Sequence, residues 1–348
     1  MTHQELPSYD QAPAGAIRFN TDSRKLEVYT GGPVGYGTLP NGQWMQVDSF
    51  TPDIATGGTR GIFSGGEAPT TTDVIQYVTI STTGNAIDFG DLTEARTEIS
   101  GGIASKTLGY QAGSNPTRTA ISYVTFSSTG NATSFGSLST SFYDRMGCSN
   151  STRGIVAGGQ APSPATNSIE YFTLTTSGSG VDFGDLNATT NGLNNGCAST
   201  TRGVFAGYVE PTFTNRIEFI TISTTGNAAD FGDTTYTSRY GASCSNAIRG
   251  LHAGGTATLP ATYSNTIEFF TIATLGNAQD FGDLTATRGG PGACSSPTRG
   301  VFSGGYNPTK TDTIDYVQIM STGNAVDFGN LLAATQYPSG CSNGHGGL

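Results

Sequence analysis

The first chemistry-bearing feature of the chain is a repeated tripeptide. Asp-Phe-Gly, or a near copy of it, places its Phe at 89, 135, 183, 231, 281 and 328. In a protein kinase one such motif holds magnesium, together with a His-Arg-Asp loop and a strand lysine. Here the tripeptide recurs and the companions are missing, so phosphoryl transfer is not its chemistry. Cys148, Cys197, Cys244, Cys294 and Cys341 follow one another at 49, 47, 50 and 47 residues. Metal sites favour close ligand pairs such as Cys-x-x-Cys, and free cysteine commonly packs as a small buried hydrophobe. A ring of packed thiols near one axis is therefore expected, with Ile103 in the place the second repeat leaves open. His3, His252 and His345 show no metal spacing and accompany no Gly-x-Ser-x-Gly elbow. No catalytic residue, metal ligand or cofactor site is read from these residues, and a non-enzymatic protein is expected.

Arg60, Arg153, Arg202, Arg249 and Arg299 recur in the same register, as do the acids that flank each Phe. These are Asp88 and Asp91, Asp182 and Asp185, Asp230 and Asp233, and Asp280 and Asp283, with Asp327 and Asn330 in the last repeat. The second repeat has Leu108 in place of the arginine and Ser134 and Ser137 in place of the acids. Joint loss of both signs suggests arginine–aspartate pairing, because an orphaned, partly buried charge is costly.

These residues sit on a unit of about 48 residues that occurs six times, and a period of this size marks a propeller or solenoid. Each unit carries a small segment such as Gly292–Ser296, then Thr298–Gly305, then Thr313–Ile319, then Gly323–Leu331. β-Branched and aromatic runs between turn residues read as strands. Gly-Asn pairs at 84, 130, 226, 276 and 323 read as hairpin turns. No apolar period of 3.6 residues is sustained, so helices are not expected. Four short strands per unit predict an all-β, six-bladed β-propeller over 53–348. Ser339–Asn343 is a seventh copy of the first strand with no blade behind it, whereas Asp53–Thr56 is a poor copy. The late segment is expected to supply the inner strand of the blade that begins near Arg60.

Composition agrees with turn-rich β-structure. Of 348 residues 50 are Gly and 12% are charged, yet 18 Phe and 15 Tyr are present, too many aromatics for disorder. A net charge of −10 disfavours nucleic acid and anionic membranes as partners. No secretory leader is read from Met1–Glu5, and no apolar run reaches the ~18 residues of a membrane helix.

The repeat resembles the kelch family. Gly-Gly doublets at 65, 158, 254 and 304 fall where that family ends its second strand. Tyr77, Tyr123, Tyr171, Phe219, Phe269 and Tyr316 match its third-strand aromatic, while the Phe of Asp-Phe-Gly stands where the family has Trp. Residues 1–52 lie outside the repeat: an extended arm to Pro13, a hairpin over Gly15–Tyr29 and a third strand near Gly42–Val47. Gly15, Ile17-Arg18-Phe19-Asn20, Leu26-Glu27, Tyr29 and Trp44 resemble a small β-motif near the ends of bacteriophage tail-fibre and other virion proteins. The phrasing of the repeat is similar to propeller proteins of tailed phages, cyanophages especially.

That resemblance implies a virion protein, made in the host cytoplasm, attached to other virion proteins through Ile17, Phe19, Leu26, Tyr29 and Trp44. The propeller is then displayed as a tail-fibre or receptor-binding module, with a host-surface glycan or protein as its partner and a homo-oligomer allowed. A capsid decoration or assembly role is the alternative, and a cellular kelch-like interaction module a weaker one. The segments that differ most between copies, 67–72, 160–166, 209–214, 256–264 and 306–311, share one propeller face with the interblade loops. They bring Tyr208, Phe213, Tyr263 and Tyr306, with Tyr143, Tyr236 and Tyr337, to that face as candidate contacts for sugar or protein.

Overall fold

A computed structural model of the chain describes residues 15–20, 25–29, 44–46, 59–160, 164–190, 196–209, 212–257 and 261–348. The chain divides into two compact units, Met1–Ala55 and Thr56–Leu348. The domain boundary expected at 52/53, the arm before Gly15 and the segment Asp53–Thr56 lie outside the described residues.

In the first unit Ile17–Asn20, Lys25–Tyr29 and Trp44–Gln46 form a three-stranded antiparallel sheet in that order. Its register sets Arg18 opposite Glu27, and their ion pair closes at 2.7 Å.

The second unit is a six-bladed β-propeller, and no helix occurs among the described residues. Blade three shows the pattern, running from the axis outward through Met146–Ser149, Arg153–Ala157, Thr166–Thr173 and Val181–Thr190. Blades four, five and six repeat it from Cys197, Ala242 and Gly292. Blade one is composite. Its inner strand is Ser339–Ser342, paired with Arg60–Ser64 so that Cys341 faces Ile62, and Val74–Thr79 and Ile87–Asp91 follow. This is the closure that the seventh copy of the first strand predicted. Blade two departs from the expected four strands: Leu108–Ala112, Ala120–Thr125 and Thr133–Ser137 make its sheet. Its inner segment touches that sheet only by isolated bridges, Ser100 to Ala112 and Ala104 to Gly109. Gly101 and Gly102, which have no side chains to pack on a pleated surface, lie between them.

Neighbouring blades are held by a repeated stack. In each blade the outer-strand Phe meets the third-strand aromatic edge to face, as at Tyr77–Phe89 and Phe269–Phe281, with centroids 5.9 and 6.0 Å apart. The arginine that opens the second strand lies over that aromatic, 4.5 Å away at Arg153–Tyr171 and 4.8 Å at Arg60–Tyr77. Its guanidinium then donates to a backbone carbonyl just past the third strand of the next blade. Arg60 reaches Phe126, Arg153 Ile222, Arg202 Ile272, Arg249 Ile319 and Arg299 Ile80. The expected arginine–aspartate pairs do not form. Asp88, Asp182, Asp230, Asp280 and Asp327 stand exposed on the outer strands, while the guanidinium is spent between an aromatic ring and a carbonyl. Blade two fills the gap left by Leu108 differently: the Tyr110 hydroxyl donates to Leu174 O, the equivalent carbonyl of blade three. Burial pushes this phenol up to about 12, so it remains a donor.

The thiols are buried and unpaired, and each packs sideways against the next blade. A Cβ at Gly203 would meet Cys148 Sγ at 2.7 Å, and one at Gly250 would meet Cys197 Sγ at 2.9 Å. Ile103 plays the same part against Gly154, at 2.8 Å. The ring of small apolar groups is therefore an interblade filling, and the repeated glycine exists to admit it. Burial holds Cys197 and Cys341 up to about 12, which removes thiolate reactivity.

Past the closing strand, the segment 343–348 crosses the axis. Gly346 N donates to Ser245 O of blade five at 2.9 Å, and His345 Nε2 lies 3.3 Å from Ser149 Oγ of blade three and 3.2 Å from Ala104 O. His345 shares the axial cavity with Cys197, Cys244, Cys294 and Cys341.

Two substitutions test this packing. Gly203→Ala is expected to lower stability by about 1–3 kcal/mol in thermal unfolding, as overpacking does. Adding Cys148→Ala should restore most of that loss, and an additive double variant would contradict the contact. Tyr110→Phe, which removes one hydroxyl, is expected to cost about 1–2 kcal/mol because it orphans a buried carbonyl; no change on calorimetry would refute its equivalence to the arginines.

Candidate functional site

One feature of the propeller is not required by its packing. Nine residues after the outer-strand Phe, the interblade loop turns through the left-handed region. Gly290 takes that conformation after Phe281 with φ +66°, as glycine does without steric cost. At the equivalent positions stand Glu98, Asp144, Tyr240 and Tyr337, with φ of 56°, 54°, 58° and 56°. The sixth position, Gly192, lies outside the described residues. A left-handed non-glycine residue costs about 1–3 kcal/mol and persists where the surroundings over-determine it. These four come from four different interblade junctions, and their side chains converge.

Tyr240 and Tyr337 meet with ring centroids 5.2 Å apart. Tyr240 Oη lies 3.4 Å from Asp144 Oδ2, and Arg239 Nη2 lies 3.7 Å from the same oxygen. Arg239 also donates to the Tyr240 hydroxyl, with its guanidinium 4.1 Å from that ring. Residues from the second, fourth and sixth junctions touch only because each leans over the axis, so the cluster closes the axial mouth opposite the 343–348 segment. Asp144 is 2% exposed. Burial and the neighbouring Glu98 raise its carboxyl to about 7, against the opposing pull of Arg239 and Tyr240. Glu98 is likewise raised, chiefly by burial. The Tyr240 and Tyr337 phenols are pushed upward by burial and by Asp144, which fixes them as neutral donors.

The expected aromatics divide. Tyr337 belongs to the mouth. Tyr263 and Tyr306 pair edge to face at 5.9 Å, and a Cβ on Gly289 would meet the Tyr263 ring at 3.0 Å. Gly289 and Gly290 therefore run between this pair and the axial pair, which makes one tyrosine-lined surface. Tyr143 sits at the junction of blades two and three, where Gln160 Nε2 donates to its hydroxyl at 3.0 Å. Tyr208 and Phe213 lie on strands Arg202–Val209 and Phe213–Thr221, which extend the blade-four hairpin into the region read as loop. Tyr236 is no free contact residue: its hydroxyl donates to Gly254 O at 2.7 Å and braces two blades. Behind it His252 is fully buried between Ser238 Oγ at 2.8 Å and Ser243 Oγ at 3.0 Å. Burial depresses this imidazole to about 4, so it stays neutral and structural.

Neither a protein-family model nor a curated protein sequence matches the chain. The site must speak through its own geometry. Reading the sequence missed Glu98, Asp144, Arg239 and Tyr240. For Glu98, Asp144 and Tyr240 the signal was positional, a constant nine-residue offset from the Phe occupied by unlike residues, with Arg239 next to Tyr240 in the chain. No group of three or more His, Cys, Asp or Glu suited to a metal occurs among the described residues.

The first unit also sorts its expected attachment residues. Tyr29 is buried against Trp44, with centroids 5.3 Å apart, and the Arg18 guanidinium sits 4.2 Å from the Trp44 ring. Ile17 and Phe19 point the other way and are 65% and 60% exposed. Leu26 stands opposite Phe19 in the ladder.

The mouth predicts a pH effect of definite sign. The folded-state carboxyl of Asp144 lies above its unfolded value near 4, so the folded state holds the proton longer. Its contribution is most favourable below about pH 4 and is lost as pH rises to about 7. Asp144→Asn is therefore expected to flatten stability over this window. Denaturant titrations at several pH values check it: a wild-type-minus-variant difference that does not shrink with rising pH would contradict the assignment.

Proposed function

We propose that this chain is a non-enzymatic structural protein of a tailed-phage virion, in which the first unit attaches to other virion proteins and the propeller is displayed for host recognition. The observation that carries the reading is the division of labour along the chain. A small sheet leaves Ile17 and Phe19 outward, while the propeller gathers strained polar and aromatic side chains at its axial mouth. A three-stranded sheet of this size buries too little to stand alone, so its apolar outer residues call for a partner. The resemblance of Gly15–Asn20, Leu26, Tyr29 and Trp44 to the virion β-motif names the class of that partner. Strain kept at the mouth is consistent with recognition, since the packing of the blades does not need it. His252, His345 and the five cysteines, all buried, offer no nucleophile or general base at the mouth.

Cryo-electron microscopy of intact particles tests the proposal. A few copies at the tail, with the first unit anchored and the mouth outward, is the expected result. Many copies across the shell would establish decoration instead, and absence from particles would overturn the virion role. The double variant Ile17→Asp/Phe19→Asp is expected to reduce incorporation into particles at least about tenfold, a loss of roughly 1.4 kcal/mol or more in attachment, while leaving the circular dichroism of the propeller unchanged.

A further inference from the structure

We propose that the axial mouth binds a protonated primary amine, seated between the carboxylates of Glu98 and Asp144 and walled by Tyr240 and Tyr337. This rests on the reading that the mouth is the recognition surface, but not on the particle to which the chain belongs.

The argument starts from charge. The groups facing Asp144 are Glu98, Arg239, Tyr240 and Tyr337, and Glu98 also faces Glu67. Glu67 is engaged by Lys310 at 3.5 Å and by Gln336 Nε2 at 2.5 Å. Two acids, Glu98 and Asp144, are thus left against one guanidinium, and that guanidinium stands 3.7 Å from Asp144. With both acids ionised the mouth carries an excess negative charge, so an anionic ligand is excluded.

Hydrogen bonding narrows the class further. Asn115 serves the Glu98 carboxyl, but the buried oxygens Asp144 Oδ1 and Glu98 Oε2 have no hydrogen-bond partner among the described residues. A buried carboxylate oxygen left without a donor is expensive, and evolution of a stable fold alone would replace it. The missing element is a donor that also brings positive charge. An ammonium group has three N–H donors on one compact centre and no acceptor. It supplies both orphaned oxygens at once and cancels the excess charge. A neutral sugar hydroxyl satisfies one oxygen but leaves the charge. A hard divalent cation takes about six or more oxygen ligands, more than two carboxylates and a phenol provide.

Aromatic groups complete the site. The faces of Tyr240 and Tyr337, already packed at 5.2 Å, attract a cation through the ring quadrupole. All four contributing residues hold left-handed backbone where Gly290 holds it freely, so their side chains are kept at a conformational cost. Binding is also linked to protons. Seating an ammonium requires both acids ionised, so the site takes up the amine and releases the proton that burial keeps on Asp144 near neutrality. Affinity then rises as pH increases from about 5 to 7.

The test is isothermal titration of the purified full chain with two probes, Nα-acetyl-lysine amide and glucosamine, with their N-acetylated forms as neutral controls. At least one amine is expected to bind at about pH 7 and to weaken by about tenfold or more at about pH 5. Asp144→Asn and Glu98→Gln should each weaken it to a similar degree. Should Asp144→Asn fail to fold, Glu98→Gln decides alone. The probe that binds tells whether a lysine side chain or an amino sugar is the source. No heat from either amine up to about 10 mM, equal binding of the neutral controls, or binding unchanged in the variants would overturn the proposal. Because the titration uses free protein, its failure and a failure to find the chain in particles are separate outcomes.

Discussion

A closed ring of blades stands or falls by the contact between one blade and the next, and here that contact is a cation spent on a backbone carbonyl. Each arginine at the start of a second strand is stacked on its own blade's aromatic and donates into the neighbouring blade, where the chain leaves its third strand. The aromatic is in turn set by the outer-strand Phe. One interaction therefore orders three strands of its blade and fixes the distance to the following one. Thiol and glycine complete the joint nearer the axis, where space is smallest. Because every joint must repeat for the ring to close, the chain tolerates a missing arginine only by supplying another donor to the same carbonyl, as Tyr110 does.

Much of this was legible in the sequence, and the reasons differ by feature. The blade count, the strand order and the closure by Ser339–Ser342 followed from periodicity, since a strand needs only a pattern of side chains. The partner of the arginines did not, because a carbonyl has no letter; the acids in step with them offered a false partner of the right charge. Blade two misled in the same way. Its loss of the arginine's charge, at Leu108, and of both acids looked like covariation, whereas the compensating change was two residues away, in Tyr110.

The axial mouth was the least legible part. Tyr337 was found as a loop aromatic, but Glu98 and Asp144 share no residue type with it, with Tyr240 or with Gly290. Their kinship lies in backbone conformation, and their contact arises only when the ring is shut, which brings residues 98 and 240 to one place. Tyrosines on the rim were visible for the opposite reason, as each is a large residue in a variable segment. Tyr236 proves to be a brace: a phenol that reaches a backbone carbonyl is part of the frame.

The composite first blade carries a further consequence for how the molecule is made. Arg60–Ser64 leaves the ribosome roughly 275 residues before the strand that must lie beside it. Throughout that interval Ile62 and Phe63 wait on an open sheet edge, while later blades assemble against one another. An open edge accepts any strand of suitable register, and a second copy of the chain offers the same Ser339–Ser342 segment. Closure within one chain wins by proximity when molecules are dilute; crowding on a polysome favours exchange between chains. The clasp that gives the finished ring its durability thus makes the unfinished one prone to forming swapped dimers.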